Sequence, residues 1–294
     1  MTNGITTAVA APPSDITKRS RPASVIVHTL LILGSLLMLY PLLWMVSASV
    51  RPENEIFSST SLIPSSIDFS SYVRGWVGLD ISFGRFFWNS LVISVLTVIG
   101  NVVACSLAAY AFARLNFAGR NFWFAIMLGT LMIPYHVTLI PQYVLFLNLG
   151  WVNTILPLVV PKFLASDAFF IFLMVQFFRG IPRELDEAAM MDGCSPWRIY
   201  WKIMLPLSLP VLATAAIFSF IWTWDDFFGP LIYLNDMNTY TIQLGLRTFV
   251  DSTSASDWGG LFAMSTLTLV PVFLFFLFFQ RLLIDGIATT GMKR

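Results

Sequence analysis

Long apolar runs alternate with shorter polar segments along most of the chain. Because a helix of about 20 apolar residues crosses the hydrocarbon core of a bilayer, these runs predict membrane-spanning helices. The first predicted span covers residues 24–50, and residues 86–281 form a core with five more. Within that core the spans are predicted at 86–113, 122–137, about 156–178, 207–231 and from 259 onward. We therefore expect an all-α, polytopic membrane protein with six transmembrane helices.

The segments outside the spans are polar or rich in turn-forming residues. Residues 1–23 are rich in Ala, Pro, Ser and Thr, which predicts a disordered tail, and residues 282–294 predict a short C-terminal tail. Residues 142–166 are apolar, but one glycine and two prolines interrupt them. This segment is expected to be an external or re-entrant connection, because proline removes a backbone donor and breaks helices.

The overall composition agrees with a membrane location. Hydrophobic residues make up 57% of the chain and charged residues 11%. Soluble domains have roughly 45–50% and about 25%. The formal net charge is only +1, so nothing suggests nucleic-acid binding. The lipid bilayer is therefore the expected surrounding of most of the chain.

Lysine and arginine are distributed unevenly between the two sides of the predicted topology. With six spans, both termini lie on one side, whose basic residues are Lys18, Arg19, Arg21, Arg114, Arg120, Arg179, Arg183, Arg198, Lys202, Arg281, Lys293 and Arg294. The other side has only Arg51, Arg74, Arg85, Lys162 and Arg247, spread over longer loops. Because basic residues near span ends favour the cytoplasmic side, both termini are expected in the cytoplasm.

Several kinds of chemistry lack the residues that they need. Cys105 and Cys194 are far apart, and His28 and His136 form no ligand spacing with them, so neither a disulfide nor a metal site is expected. The sequence has no G-x-x-x-x-G-K-[ST] phosphate loop, so ATP is not expected to bind by that route. We therefore expect no cofactor on this chain and no enzymatic activity of its own.

The segment at residues 181–210 is polar and carries the signals of two short helices. Acidic residues follow Pro182, which suits the first turn of a helix, and Gly193 is placed to end that helix. Ser195 is expected to cap a second helix, which continues to residue 204 until Leu205-Pro206 breaks it. The pattern thus predicts a short helix, a glycine turn and a second helix, all on the cytoplasmic side.

The first of these helices offers a small, flat face flanked by acids. The candidate contact residues of the segment are Glu184, Glu187, Ala188, Ala189, Asp192, Gly193, Leu205 and Pro206. A helix of about ten residues is shorter than the ~12–15 residues that are marginal even in alanine-rich peptides, so it needs a docking surface. That surface is either a groove on another protein or the chain's own subunit, and the residues alone leave both open.

The same segment resembles the EAA loop of ABC importer permeases, in particular those of the carbohydrate type. The resemblance rests on the spacing E-A-A-x(2)-D-G-x(9)-I-x-L-P-x(3)-P, which starts at Glu187 and ends at Pro210. Shorter matches extend it over about residues 89–293. Three positions depart from the family pattern, where Asp225 replaces Asn, Gln243 replaces Pro, and Arg294 ends the chain instead of Gly.

This resemblance implies a type I ABC importer permease fold and a set of partners. In the family the loop is a coupling helix seated in a cleft of an ATP-binding subunit, so the candidate contact residues are expected to touch an ATPase. The implied assembly has a second, homologous permease, two ATP-binding subunits that use ATP and Mg²⁺, and an extracytoplasmic solute-binding protein. Such an importer lies in the inner membrane of a bacterium or archaeon.

A second group of candidates lies at the outer ends of the spans. An intramembrane acid costs at least about 2.5 kcal/mol at mid-span, so it marks a functional hypothesis. Aromatic faces beside polar groups suit a sugar, and the candidate substrate path comprises Asn89, Trp222, Trp224, Asp225, Asp226 and Phe228. The alternatives are interhelical hydrogen bonding, an interfacial acid bonded to backbone, and an aromatic belt at the membrane surface.

Together these features predict the permease subunit of an ATP-driven, binding-protein-dependent importer, with a sugar as the expected solute. Transport is expected to proceed by alternating access, coupled to the ATPase through residues 181–210. A polyol or a glycerol phosphate is the alternative solute. An ion-coupled secondary transporter would need charged residues at the midplane, where the predicted spans have almost none, and an enzyme would need a converging catalytic cluster.

Overall fold

The computed structural model describes residues 21–58, 61–250 and 256–291, and all regular elements within these ranges are helical. The α-helices are α1 Arg21–Ser49, α2 Ser70–Val77, α3 Phe83–Arg114, α4 Arg120–Thr130, α5 Tyr135–Asn148, α6 Leu156–Val159, α7 Ala168–Gly180, α8 Glu184–Met191, α9 Pro196–Ile199, α10 Leu205–Leu207, α11 Leu209–Trp224, α12 Phe228–Tyr233, α13 Ile242–Arg247 and α14 Trp258–Gly291. Short 3₁₀ helices cover Glu53–Glu55, Val160–Leu164 and Met237–Thr239, and Tyr200–Met204 form a π-helical turn. The tail predicted at 1–23 lies almost entirely outside the described residues.

Up to six helical stretches in the described residues have the length and composition of a membrane span. Four of them are Val25–Ser49, Phe83–Arg114, Leu156–Gly180 and Trp258–Arg281. The other two are helix pairs bent at a short break, Arg120–Thr130 with Tyr135–Asn148 and Pro196–Leu207 with Leu209–Trp224. Counting each bent pair as one span gives six, and the prediction of an all-α, polytopic membrane protein is confirmed.

The third predicted span differs from the structure in length and shape. Helix α4 ends at Thr130, and α5 begins at Tyr135 with its axis turned by 98°. Pro134 stands directly before α5, where its φ of −60° suits a helix start and its missing N–H costs no hydrogen bond. Because α5 continues to Asn148, the connection predicted from residue 142 onward starts as a helix instead.

The fifth predicted span, at 207–231, is not one continuous helix. Helices α11 and α12 divide it, and Asp225 and Asp226 lie in the break between them. The Asp226 Oδ1 atom accepts hydrogen bonds of 3.1 Å from the N–H groups of Phe228 and Gly229. The side chain thus satisfies donors at the start of α12, as a capping residue does, and the two acids do not share one helix.

The sixth span continues further than predicted. Helix α14 extends to Gly291, so most of the tail predicted at 282–294 is helical, and residues 292–294 lie outside the described ranges. The helix can continue because no proline follows Pro271. Gly286 is the one glycine of the predicted tail before the helix end, and it costs a helix only about 1 kcal/mol relative to alanine.

Helix α3 is the centre of the fold. It packs along α7 and α11, and α14 packs against α11, α2 and α1. One buried cluster joins the C-terminal half of α3 to α7, α11 and the 181–210 segment, and its largest members are Tyr110, Phe170, Met174, Phe178, Tyr200 and Met204. A second cluster surrounds the N-terminal end of α3 and contains Phe83, Phe86, Phe220, Trp224, Ile242, Phe249, Ala263 and Met264.

Helix α1 lies at the edge of this bundle. It packs on α14, where the Trp44 and Phe262 rings meet edge to face with centroids 5.3 Å apart. Most of its described apolar side chains are exposed. Such a surface suits acyl chains or a neighbouring membrane helix, because both are as apolar as leucine.

Candidate coupling surface and membrane cavity

Helix α8 is the first element of the 181–210 segment. It covers Glu184–Met191, which is 8 residues and slightly shorter than expected. Arg183 is its N-cap residue, so Pro182 stands before the helix rather than at its first position. The first turn carries the acidic residues, which interact favourably with the positive end of the helix dipole.

A glycine turn ends α8, as the sequence predicts. Gly193 has φ 79°, a left-handed conformation that glycine adopts without steric cost. Its N–H donates to the Met190 carbonyl at 3.0 Å, and the Cys194 N–H donates to the Ala189 carbonyl at 2.9 Å. These two bonds form the Schellman motif, which satisfies carbonyls at a helix end. Asp192 and Gly193 are both exposed at this turn.

The two alanines of α8 point in directions about 100° apart, and only one of them is buried. Ala189 is 7% exposed and packs in the buried cluster around α3, whereas Ala188 is exposed. Residues spaced i, i+3, i+4 and i+7 share one face of a helix, and the exposed residues Glu184, Glu187, Ala188 and Met191 of α8 have this spacing. Leu185 and Met190, to either side of this face, are exposed as well. We call these four residues the outer face of α8. Of the two alanines, only Ala188 is accessible to a partner.

A buried ion pair connects the inner side of α8 to the end of α3. The Arg114 Nε atom lies 3.3 Å from the Asp186 Oδ2 atom, and the two side chains are 3% and 12% exposed. Arg114 also donates from Nη2 to the Ile181 carbonyl at 2.7 Å. Arg114 occupies the last turn of α3, where a cation interacts favourably with the helix dipole. The pair therefore fixes both the start of the segment and α8 to α3.

The second helix of the segment is longer than predicted. Ser195 caps it as expected, since its Oγ atom accepts a hydrogen bond of 3.4 Å from the Arg198 N–H. Helical structure then runs over Pro196–Leu207, so the prediction that Leu205-Pro206 breaks the helix is wrong. Leu205 is half-buried and Pro206 is exposed.

A π-helical turn allows the helix to pass through this proline. The turn covers Tyr200–Met204, and the Leu205 N–H reaches back to the Tyr200 carbonyl. A π turn changes the hydrogen-bond register next to Pro206, which has no N–H to donate. The chain bends by 76° one turn later, between α10 and α11. Pro206 and Pro210 flank this bend, and each removes a bond that a straight helix would make.

Two tyrosine hydroxyls attach this second helix to α3. The Tyr110 hydroxyl donates to the Pro196 carbonyl at 3.0 Å. The Tyr200 hydroxyl and the Ser106 Oγ atom are hydrogen-bonded at 2.7 Å, and both residues are buried. Together with the ion pair, these bonds make the segment and the C-terminal half of α3 one packed unit.

Two of the six candidate path residues make side-chain hydrogen bonds within the chain. Trp224 is 1% exposed, and its Nε1–H donates to the Thr268 carbonyl at 3.1 Å. The Asn89 side-chain amide donates to the carbonyls of Asn238 and Tyr240, at 2.9 Å each. The side-chain N–H groups of both residues thus have partners within the chain.

The other four candidates lie near one another but in different surroundings. Trp222 and Phe228 are 51% and 44% exposed, and the Phe228 ring lies 5.4 Å from the His136 ring. Asp225 is exposed beside the break between α11 and α12. Asp226 lines two cavities, a small one of 120 Å³ that it shares with Trp222 and a larger one of 520 Å³.

The larger cavity, which we call the Asp226 cavity, contains functional candidates that sequence reasoning missed. Its lining includes Lys162, Asp167 and Tyr233. The Lys162 Nζ atom lies 3.2 and 3.0 Å from the two carboxylate oxygens of Asp167. A signal was present, because Lys162 and Asp167 are charged residues inside the apolar run of the fourth span, where charges are rare unless they are paired or functional.

The described residues show no clustered metal ligands. Within residues 21–58, 61–250 and 256–291, no three His, Cys, Asp or Glu side chains are placed to hold a metal ion together. Cys105 is buried and Cys194 half-buried, and both are free thiols.

The chain is similar to known transport proteins. A family model described as binding-protein-dependent transport system inner membrane component matches residues 100–288. That range includes α8 and the Arg114–Asp186 pair.

Two curated relatives and one solved structure match nearly the whole chain. The diacetylchitobiose uptake system permease protein NgcG of Streptomyces coelicolor is 33% identical, over 93% of this chain and 89% of the relative. The arabinooligosaccharides transport system permease protein AraQ of Halalkalibacterium halodurans is 34% identical, over 93% of this chain and 99% of the relative. The structure is a crystal structure of a bacterial ABC transporter involved in the import of the acidic polysaccharide alginate. It aligns with a TM-score of 0.79 and 25% identity over 92% of this chain and 99% of that chain.

Proposed function

Since this chain belongs to the family of binding-protein-dependent transport system inner membrane components, we propose that it carries a carbohydrate across the membrane. As a member of that family it is an ABC importer permease, a transport component rather than a catalyst. The carbohydrate is supported by NgcG and AraQ, whose names state diacetylchitobiose and arabinooligosaccharides. Both relatives match nearly end to end, so the resemblance includes the spans as well as the EAA segment.

The proposed assembly contains four kinds of subunit. This chain pairs with a second, homologous permease, two ATP-binding subunits dock on the cytoplasmic side, and a solute-binding protein delivers the sugar from outside. ATP and Mg²⁺ are bound and used by the ATP-binding subunits. Both termini and α8 lie in the cytoplasm, which the concentration of Lys and Arg on that side of the topology supports.

The outer face of α8 is the observation that carries this proposal. Glu184, Glu187, Ala188 and Met191 form an exposed strip on a helix whose inner side is buried. The strip is narrow at Ala188 and acidic at one end, which suits insertion of the helix into a groove with basic residues. Asp192 and Gly193 extend the contact at the end of α8. Ala189 supports the helix from behind.

The contacts behind α8 give it the stiffness that coupling requires. A push on the outer face reaches α3 through the Arg114–Asp186 pair and through the Tyr110 and Tyr200 hydroxyls. The helix Pro196–Leu207 transmits the same push to α11 across the bend. Leu205 and Pro206 therefore act at this bend rather than as direct contacts. In this mechanism, closure of the ATP-binding subunits moves α8 together with α3 and α11. That movement opens the transport cavity toward the outer side of the membrane, which gives alternating access.

The substrate path runs along the side of α11 and α12 that carries Asp226. Trp222 and Phe228 offer exposed aromatic rings there, Asp226 offers a half-buried carboxylate, and the exposed Asp225 lies at the edge. Asn89 and Trp224 keep the surrounding loops and helices in place. In this proposal the more exposed side chains contact the sugar. Asn89 and Trp224, which have internal hydrogen bonds, stabilise the surrounding structure.

Uptake into proteoliposomes that hold the complete transporter tests the proposed function. Labelled N,N′-diacetylchitobiose and arabinobiose serve as probes, with the binding protein supplied outside and ATP supplied to the ATP-binding subunits. A proton gradient is imposed across the vesicle membrane. We expect uptake that requires ATP and continues when an uncoupler removes this gradient. Uptake that persists without ATP and collapses with the uncoupler would instead identify an ion-coupled transporter.

A further inference from the structure

The Asp226 cavity has the size and the composition of a small-molecule site. Its volume is 520 Å³, within the range of about 300–1,000 Å³ that is typical of ligand sites. It lies between α5, the α6–α7 segment and α12, and its lining combines aromatic with hydrogen-bonding side chains, namely Tyr135, Phe146, Lys162, Asp167, Asp226 and Tyr233. Rings beside hydroxyl-bonding groups are the combination that a sugar requires, since sugars have both apolar C–H faces and many hydroxyls.

Tyr233 provides a hydrogen-bonding group that the protein itself does not use. The residue is 2% exposed, and no described residue pairs with its buried hydroxyl. Its ring is held in place, stacked on Tyr143 with centroids 6.3 Å apart and edge to face with Phe146 at 5.4 Å. Because buried hydroxyls nearly always have a partner, a rigidly held and unpaired one at a cavity points to a ligand group.

The charges of the lining restrict the class of that ligand. Lys162 is paired with both oxygens of Asp167, so their charges balance. Asp226 remains as an excess negative charge in the lining. Its Oδ1 atom is engaged by the N–H groups of Phe228 and Gly229, which leaves Oδ2 able to accept from a hydroxyl. An anionic ligand would meet like charge here, whereas a neutral sugar would donate hydroxyls to it.

We propose that the Asp226 cavity is a subsite for one neutral sugar unit of the transported carbohydrate. Tyr135 and Phe146 supply apolar surface to the ring, and Tyr233 and Asp226 bind its hydroxyls. The subsite selects against uronates and phosphorylated polyols, because these carry negative charge. This inference rests on the proposed function, and it adds the binding residues and the charge class of the substrate.

Direct binding to the purified complete transporter, without the solute-binding protein, tests the subsite. The neutral probes are labelled N,N′-diacetylchitobiose and arabinobiose, and the anionic probes are digalacturonate and glycerol 3-phosphate. The variants are Tyr233→Phe and Asp226→Asn, which keep side-chain shape. The matched control is Tyr143→Phe, because Tyr143 stacks on Tyr233 but does not line the cavity. Basal ATP hydrolysis and subunit content are measured to show that each complex is assembled.

We expect the wild-type complex to bind and import a neutral probe in preference to both anionic ones. Loss of one hydrogen bond corresponds to about a 2- to 10-fold higher Kd, which is expected for Tyr233→Phe and Asp226→Asn but not for Tyr143→Phe. Equal Kd values in all four complexes, or no binding of a probe that is imported, would overturn the subsite and leave the proposed function standing. Preference for an anionic probe would overturn the charge class. Import of none of the four would overturn the proposed function together with the subsite.

Discussion

Arg114 and Asp186 form a buried ion pair that joins the end of α3 to the inner side of α8. Nε and Oδ2 are 3.3 Å apart, and both side chains are almost fully removed from water. Each charge therefore depends on the other, because an unpaired buried charge is strongly unfavourable. The consequence is that α8, although short and on the surface, moves with α3 as one unit.

Removing one partner of this pair is expected to destabilise the protein severely. Asp186→Ala leaves the Arg114 charge buried alone, which costs about 3–5 kcal/mol. Thermal denaturation of the purified chain, without the ATP-binding subunits, measures the effect. Glu187→Ala is the control, since Glu187 is exposed on the same helix, and it should change stability by no more than about 0.5 kcal/mol. The double variant Arg114→Met with Asp186→Leu should recover most of the loss. Equal melting temperatures for Asp186→Ala and Glu187→Ala would contradict this account.

Gly193→Asp is expected to abolish import without reducing the amount of protein in the membrane. No atom lies within 4 Å of the position that a Cβ would occupy, and Asp tolerates the left-handed conformation better than most residues. The substitution therefore acts on the surface beside α8 rather than on the fold. Import and membrane abundance are both measured for each variant.

Gly119→Asp is the matched control for this substitution. Gly119 also has a positive φ, 75°, and it is exposed in the turn between α3 and α4, on the same predicted side of the membrane. It lies outside the 181–210 segment, and its left-handed backbone gives Asp there a conformational cost similar to that at Gly193. Import should persist in this variant. A similar loss of import in both variants would show that Gly193 has no special role.

The two alanines of α8 should respond differently to added bulk. Ala189→Leu places extra methyl groups in a packed cluster, which costs about 1–3 kcal/mol, so reduced thermal stability is expected. Ala188→Leu leaves stability unchanged, because that side chain is exposed, but it obstructs the contact with the ATP-binding subunit. Import by the complete transporter should fall, while the melting temperature of the purified chain, without the ATP-binding subunits, stays at the wild-type value. The reverse pattern would place Ala189 outside and Ala188 inside.

Trp222 and Trp224 lie two residues apart in α11 but should have different roles. Trp224→Phe removes the hydrogen bond to the buried Thr268 carbonyl, which costs about 1–3 kcal/mol of stability. Trp222→Phe, at an exposed position, should leave the melting temperature unchanged and weaken import of the sugar. Equal stability of the two variants would show that the Trp224 bond contributes little.

Local backbone features could be predicted from the sequence, and features that depend on distant residues could not. Gly193 and Ser195 act within one or two turns of the chain, so their residue types are enough to predict the helix end and the cap. The effect of Pro206 depends on a π turn that starts at Tyr200, whose hydroxyl is fixed by Ser106 on another helix. Proline chemistry alone therefore predicts the break at Leu205-Pro206, whereas the chain bends after Leu207.

The orientation of side chains was harder to predict than the presence of the helices. Ala188 and Ala189 differ by one position, and contacts with distant elements, including the Arg114–Asp186 pair to α3, decide which of them is buried. The same holds for the cavity, because Lys162 and Tyr233 come together with Asp226 from different segments. Hydropathy identifies spans, but it does not state which faces of the spans meet.

Crosslinking from α8 tests most directly whether the outer face contacts a separate ATP-binding subunit. Single cysteines replace Ala188 or Ala189 in a Cys194→Ser background, which removes the half-buried native thiol of the segment while Cys105 stays buried. In membranes that contain the complete transporter, we predict that Ala188→Cys, labelled with a maleimide–benzophenone reagent and illuminated, forms a crosslink to the ATP-binding subunit, and that Ala189→Cys does not. No crosslink from Ala188→Cys to that subunit, with its thiol labelled from outside the cell instead, would contradict the account.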